Sequence, residues 1–233
     1  MAALRPPARP RPRLVAFDVD GTLVRHPRGR TVWQVLNRRF LDGDAVNGRR
    51  LADFREGRIT YAEWVALDVG DWQARDLRRD DLARAIREEL EQMPGAERAV
   101  EALRRRGIPV VVISGSLDLT LEVLLPGLAF DRVFTNRLRF DGSGRIAGWE
   151  ATPYDVSGKP AALRRLAREF GVGIEETVFV GDAWNDLGVL AAAGLGIAFH
   201  PKGDDVRAAA DVVIESGPLT RVVDVIDGRD DGR

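Results

Sequence analysis

The sequence predicts an α/β fold: a doubly wound, Rossmann-like parallel sheet with a helical cap inserted after its first strand. Three observations carry this. Short apolar runs that are continuous rather than alternating recur along the chain, as strands buried on both faces of a parallel sheet require. Helical patterns lie between those runs, the alternation of a doubly wound sheet. Between residues 22 and about 93 the strand pattern disappears, and a helical segment rich in large side chains takes its place.

The first run, residues 14–17 (LVAF), ends at Asp18. The second, residues 109–113 (PVVVI), ends at Ser114, and the third, residues 177–180 (TVFV), ends at Gly181 and Asp182. Residues 196–199 and 211–214 supply two more. Among the helices, residues 96–106 stop at Gly107, 161–170 stop at Gly171 and 187–193 stop at Gly194, each with glycine where a helix commonly ends. Leu163, Leu166 and Phe170 share one face of the second of these. Residues 136–149 read as a β-hairpin, with Asp141-Gly142 and Ser143-Gly144 as turn residues.

The inserted segment offers helices at 31–40, 60–71 and 80–92 and holds Trp33, Trp64 and Trp72, three of the five tryptophans. Large rings suit a small helical core. Because the segment leaves the sheet at the end of the first strand, it should lie over that edge as a lid. The expected division is therefore a basic, proline-rich tail at 1–13, a catalytic core of 14–24 and 93–228, a helical cap of 25–92 and a frayed end at 229–233. The prolines of the first segment forbid a helix, and it lacks the apolar stretch of a signal peptide.

Composition narrows the partners. The 233 residues carry a formal net charge of -1, so no global field favours nucleic acid or an acidic membrane. Cysteine is absent, which excludes disulfides and thiolate metal sites. No apolar run approaches the roughly 18 residues of a membrane helix. A cytoplasmic protein acting on a small molecule, as monomer or homodimer, is expected. Lysine occurs only at Lys159 and Lys202 in an arginine background, so a position that keeps lysine is a candidate for needing it.

Right-handed crossovers place all strand C-termini of such a sheet on one edge, where ligands bind. Asp18, Ser114 and Asp182 all fall there. In DVDGT, Asp18 and Asp20 put two carboxylates in one small cleft. Their repulsion separates their proton affinities, so one can stay ionised while the other holds a proton. Gly21 permits the turn that follows. In GDAWNDLG, Asp182, Asn185 and Asp186 cluster before a helix. Capping accounts for part of this pattern, but not for three such groups beside a second strand-end aspartate. Oxygen-rich clusters of this kind favour magnesium. Ser114, Gly115 and Ser116 offer a hydroxyl and free backbone N–H groups to an anion. Lys159, in SGKP ahead of a helix, is a point charge for a phosphoryl oxygen.

Taken in this order, the four pieces resemble the haloacid dehalogenase superfamily of phosphohydrolases, over about residues 14–226. VVVISGS, FTNRL, GLGIAF and ADVVIE are similar to its phosphoserine phosphatase branch. The resemblance implies Asp18 as the nucleophile that becomes an aspartyl phosphate. Asp20 then protonates the leaving oxygen and afterwards activates water. The side chains of Asp18 and Asp182 and the backbone carbonyl of Asp20 hold Mg²⁺. Thr22, Ser114, Gly115 and Asn185 bind the phosphoryl group, Lys159 neutralises its charge, and Asp186 organises the metal edge. The substrate is a small phosphorylated metabolite. A phosphomutase or phosphotransferase on the same core, or a non-catalytic phosphate-binding relative, are the alternatives.

The specificity half departs from that branch. The glutamate that reads the amino group of phosphoserine falls at Pro27, and the arginine that reads its carboxylate falls near Asp68. Asp68→Arg should then improve turnover of phosphoserine. Arg25, Arg28 and Arg30 offer themselves as other anion readers.

Overall fold

The protein is seen in a computed structural model that describes residues 11–41 and 43–229. Most of the expected N-terminal tail and the last four residues lie outside them. Arg13 is held at the sheet edge, its N–H donating to the Glu176 carbonyl at 2.8 Å.

Strand β1 (Leu14–Phe17) leads into the short β2 (Val24–Arg25). Four helices follow: α1 (Val32–Phe40), α2 (Asp44–Arg55), α3 (Tyr61–Ala74) and α4 (Arg79–Glu89). The chain then returns through β3 (Glu91–Gln92), which pairs antiparallel with β2 and ties the two stems of the insertion together. Next come α5 (Ala96–Arg105), β4 (Val110–Leu117), α6 (Asp118–Leu124), β5 (Arg132–Phe140) and β6 (Ile146–Glu150). Helix α7 (Lys159–Glu169), β7 (Thr177–Gly181), α8 (Leu187–Ala192), β8 (Leu195–Phe199), α9 (Asp204–Ala209), β9 (Val212–Ile214) and α10 (Thr220–Ile226) complete the chain.

The main sheet has seven strands in the order β6-β5-β4-β1-β7-β8-β9. All neighbours are parallel except β5 and β6. This is the predicted α/β architecture, with β1 at the centre and the order reversing on either side of it. The reversal opens a crevice at the C-terminal ends of β1, β4 and β7.

Strand β5 is more than the hairpin that residues 136–149 suggest. Its first half extends the parallel sheet, with Val112 opposite Val133, and only its second half pairs with β6. Apolar and polar residues alternate along it because it lies toward the edge and is only partly covered. Helix α2 escapes the sequence pattern for a related reason: only Val46 and Asn47 are buried in its twelve residues. Helices α1 and α3 begin where expected, at the capping boxes Thr31–Gln34 and Thr60–Glu63.

Each face of the sheet has its own apolar core, one against α5 and α10, the other against α7 and α8. A third core joins the helical insertion to the rest. Leu36, Trp72 and Ile86 pack there with Leu117, Leu119 and Leu138 from the ends of β4, α6 and β5. Among the described residues, no helix is long and apolar enough to cross a membrane.

Candidate active site

Asp18 follows β1, 4% exposed, with its N–H donating to the Val180 carbonyl of the adjacent strand. Lys159, the first residue of α7, is fully buried. Its Nζ donates to Asp18 Oδ1 at 2.7 Å and to Asp186 Oδ1 at 2.6 Å. The other oxygen of Asp186 accepts from the N–H groups of Asp182 and Ala183 at 3.0 and 3.2 Å. One carboxylate thus fixes the turn after β7 and shares the lysine with Asp18. Burial alone would discharge Lys159. The Asp18 and Asp186 carboxylates outweigh it and hold the ammonium well above the usual lysine range.

Asp20 sits at the mouth of the same crevice, with Oδ1 accepting from the Val32 N–H at 3.0 Å. Burial, and then the neighbouring Asp18 charge, push its carboxyl up to about 7, against the opposing pull of the Ser116 hydroxyl. It can therefore carry a proton near neutrality and release it there.

Asp182 completes the acidic cluster. Oxygens of Asp18, Asp182 and Asp186 lie within 4.8 Å of one another. Burial raises Asp182 to about 7, with Lys202 opposing and the neighbouring carboxylates adding to the rise. Its Oδ2 accepts from Lys202 Nζ at 2.7 Å, while its buried Oδ1 has no partner. An orphaned carboxylate oxygen beside two more carboxylates, with no sulfur or imidazole near, suits a hard divalent cation such as Mg²⁺. Gly21 leaves space for this arrangement: at φ 94° it turns the chain, and a Cβ there would lie 1.9 Å from Asp182 Oδ2.

Ser114 and Gly115 form the opposite wall. Ser114 is 1% exposed, its Oγ accepting from the Ser116 N–H at 3.1 Å. The Gly115 carbonyl accepts from Trp33 Nε1 at 2.8 Å and from Asn136 Nδ2 at 2.7 Å, so both the insertion and β5 hold this irregular stretch of β4. A Cβ on Gly115 would collide with the Asp155 carboxylate at 2.1 Å.

Asp18, Asp20, Ser114, Gly115 and Asn185 all line one cavity of about 620 Å³, and Lys159, Asp182 and Asp186 are buried beneath it. Of the predicted phosphate-binding residues, Thr22 does not line the cavity, and Asn185 lines it with its amide already engaged. Thr22 is fully buried off the cavity wall, with no partner for its Oγ1. Asn185 Nδ2 donates to Asp155 Oδ1 at 2.9 Å.

Asp68 needs a different reading. It is 1% exposed and ion-paired with Arg50, and it also accepts from Asn37 Nδ2 at 2.8 Å. Its carboxylate is neutralised inside the cap, so it does not stand ready to repel a substrate. An arginine there would confront Arg50 in a buried site, and the expected gain from Asp68→Arg is withdrawn. Of the three candidate anion readers, Arg25 pairs with Glu91 at 2.9 Å and Arg30 with Asp44 at 3.5 Å. Arg28 lines the cavity mouth without an ion-pair partner among the described residues.

Sequence reasoning assigned no site role to Asp155, Asn136 or Lys202. Two of them left a signal: Asn136 lies in FTNRL, and Lys202 is the second of two lysines.

Comparison with known proteins agrees with this fold. The family of haloacid dehalogenase-like hydrolases matches residues 12–194. A phosphoserine phosphatase of Mycobacterium tuberculosis is 36% identical over 215 residues, covering 91% of this chain and 49% of that protein. The chain thus spans about half the length of that relative. A phosphoserine phosphatase of Methanocaldococcus jannaschii is 28% identical, covering 92% of this chain and 97% of its own. Among solved structures, a phospho-aspartyl intermediate analogue of phosphoserine phosphatase superposes with a TM-score of 0.73 at 27% identity, covering 93% of this chain and 99% of that one.

Proposed function

From a chain that belongs to the haloacid dehalogenase-like hydrolases, we propose a Mg²⁺-dependent phosphatase that hydrolyses a phosphate monoester of a small metabolite through Asp18. The observation that carries this is the fully buried Lys159 ammonium bridging Asp18 and Asp186, directly beneath a cavity open to a ligand. The phosphoserine phosphatases among its relatives support the same reading.

Phosphoryl transfer depends on alignment and charge neutralisation more than on elaborate covalent chemistry. An Asp18 carboxylate oxygen attacks phosphorus, the P–O bond to the alcohol breaks, and Asp20 delivers its proton to the departing oxygen. Water then gives a proton to Asp20 and attacks phosphorus, which releases inorganic phosphate and restores Asp18. Splitting the reaction this way replaces one hard step by two easier ones. Ser114 and the N–H groups around Gly115 face the phosphoryl oxygens, and Lys159 neutralises charge on the nucleophile side. Asp18, Asp182 and the backbone carbonyl of Asp20 would hold Mg²⁺, which when bound lets a dianionic phosphate approach a carboxylate.

The test is phosphate release from a panel of phosphorylated metabolites with Mg²⁺. Asp18→Asn should abolish release while leaving the circular dichroism spectrum unchanged, and EDTA should abolish release by the parent protein. Release undiminished in Asp18→Asn would refute the assignment.

A further inference from the structure

A continuous line of hydrogen bonds runs from the cap to the wall on which Ser114 stands. It starts at Trp33, the second residue of α1. The Trp33 indole lines the cavity and is stacked on Trp72 at 5.3 Å between ring centres, and Trp72 is fully buried in the cap core. Trp33 Nε1 carries one hydrogen and accepts nothing. It gives that hydrogen to the Gly115 carbonyl at 2.8 Å, so it has none left for a ligand. The preceding residue, Val32, gives its N–H to Asp20 Oδ1 at 3.0 Å. The first turn of α1 therefore touches both the proposed acid and the opposite wall.

The Gly115 carbonyl belongs to a planar peptide unit whose other end is the Ser116 N–H. That N–H donates to Ser114 Oγ at 3.1 Å. Ser114 lines the cavity, and its oxygen accepts inside the protein, which leaves its own hydrogen to donate to an anion there. Fixing the carbonyl thus fixes the peptide plane, and the plane fixes the serine. A donor at the carbonyl also polarises the amide and strengthens the N–H at its far end. The carbonyl's second donor is Asn136 Nδ2 at 2.7 Å, oriented by the Thr152 N–H that donates to Asn136 Oδ1 at 2.8 Å. One lone pair is therefore held by β5, a part of the core, and the other by the cap. The core donor is permanent, whereas the cap donor is in place only while α1 is seated.

Resting on the phosphatase reading above, we propose that Trp33 is a positioning residue for phosphoryl transfer. Acting through the Gly115 carbonyl and the Ser116 N–H, it holds the Ser114 hydroxyl toward the phosphoryl group. The cap completes the phosphate wall in this way without giving the phosphate a donor of its own from Trp33. A tryptophan that only walled the cavity, or only braced the cap, would exert its effect whether or not Ser114 kept its hydroxyl.

The test is a double-mutant cycle of Trp33→Phe and Ser114→Ala, read as the Kd of inorganic phosphate by calorimetry in Mg²⁺ and as kcat on a monoester from the panel. Inorganic phosphate has no alcohol part, so its binding reports on the phosphate wall alone. Trp33→Phe keeps a ring against Trp72 and removes the donor. It should weaken phosphate binding about fivefold, the loss of one ordinary hydrogen bond, and lower kcat in the same direction, with the urea midpoint little changed. Ser114→Ala should weaken binding by about tenfold. Adding Trp33→Phe to Ser114→Ala should then cost less than about a further twofold, because the group through which it acts is gone. An equal factor in both backgrounds, or a Trp33→Phe protein that binds phosphate and turns over as the parent does, overturns the inference and leaves the phosphatase reading standing. A parent protein that releases phosphate from no monoester in the panel overturns both.

Discussion

Lys159 is the residue on which the site's electrostatics turn. It is completely buried between two carboxylates, and removing one partner of a buried ion pair leaves charge uncompensated. Lys159→Met should therefore lower unfolding free energy by about 3–5 kcal/mol in urea titration. Adding Asp18→Asn to that variant should recover part of the loss, because one of the stranded charges disappears. Lys202 plays a different part. Its ammonium lies 2.7 Å from the Asp182 carboxylate proposed to bind the metal, and so competes with a cation there. Lys202→Met should reduce the Mg²⁺ concentration that half-saturates activity by several fold, and an increase would contradict this placement. The acidic cluster was legible from DVDGT and GDAWNDLG because its members follow apolar runs. Lys202 was not, because only the fold returns the loop after β8 to Asp182.

At the scale of elements, strands buried on both faces were the easiest to read. β1, the start of β4 and the middle of β7 are apolar in sequence, and the apolar residues of all three strands are fully buried in the fold. β5 was half hidden, since one face stays open and its residues alternate. α2 was hidden altogether: its helix is set by packing at Val46 and Asn47, and Gly48 weakens any local preference. The start of α6 carries a charge with a measurable consequence. Asp118 accepts from the N–H groups of Leu119 at 2.8 Å and Leu138 at 3.2 Å, joining α6 to β5. Burial still raises its carboxyl to about 6 from 3.8. The folded protein thus holds this proton more tightly than the unfolded chain does. The linked stabilisation is full below 3.8 and is lost as pH rises through about 6. Asp118→Asn should flatten the fall in stability across that window in urea titrations at graded pH. A slope identical to that of the parent protein would show that the group does not titrate there.

Over the whole molecule, the site is an edge where distant parts of the chain meet. β1 brings Asp18 and Asp20, β4 brings Ser114, α7 brings Lys159, and the loop after β7 brings Asp182 and Asp186. The cap closes over them through contacts that no local pattern announces. Trp33 reaches the Gly115 carbonyl, and Arg55 of α2 lies over the Trp184 ring with its guanidinium carbon 5.6 Å from the ring centre. This is why the acidic cluster could be read from motifs while the cap-side wall of the cavity could not: the first depends on strand ends, the second on how four helices pack above them. The central claim is that Asp18 itself takes the phosphoryl group, and covalent trapping tests it most directly. The protein is quenched during turnover, treated with borohydride to reduce any acyl phosphate to an alcohol, digested and sequenced by mass spectrometry. Conversion of Asp18 to homoserine, dependent on substrate and Mg²⁺, is the predicted result. Turnover with Asp18 unmodified and another carboxylate reduced in its place would contradict the account.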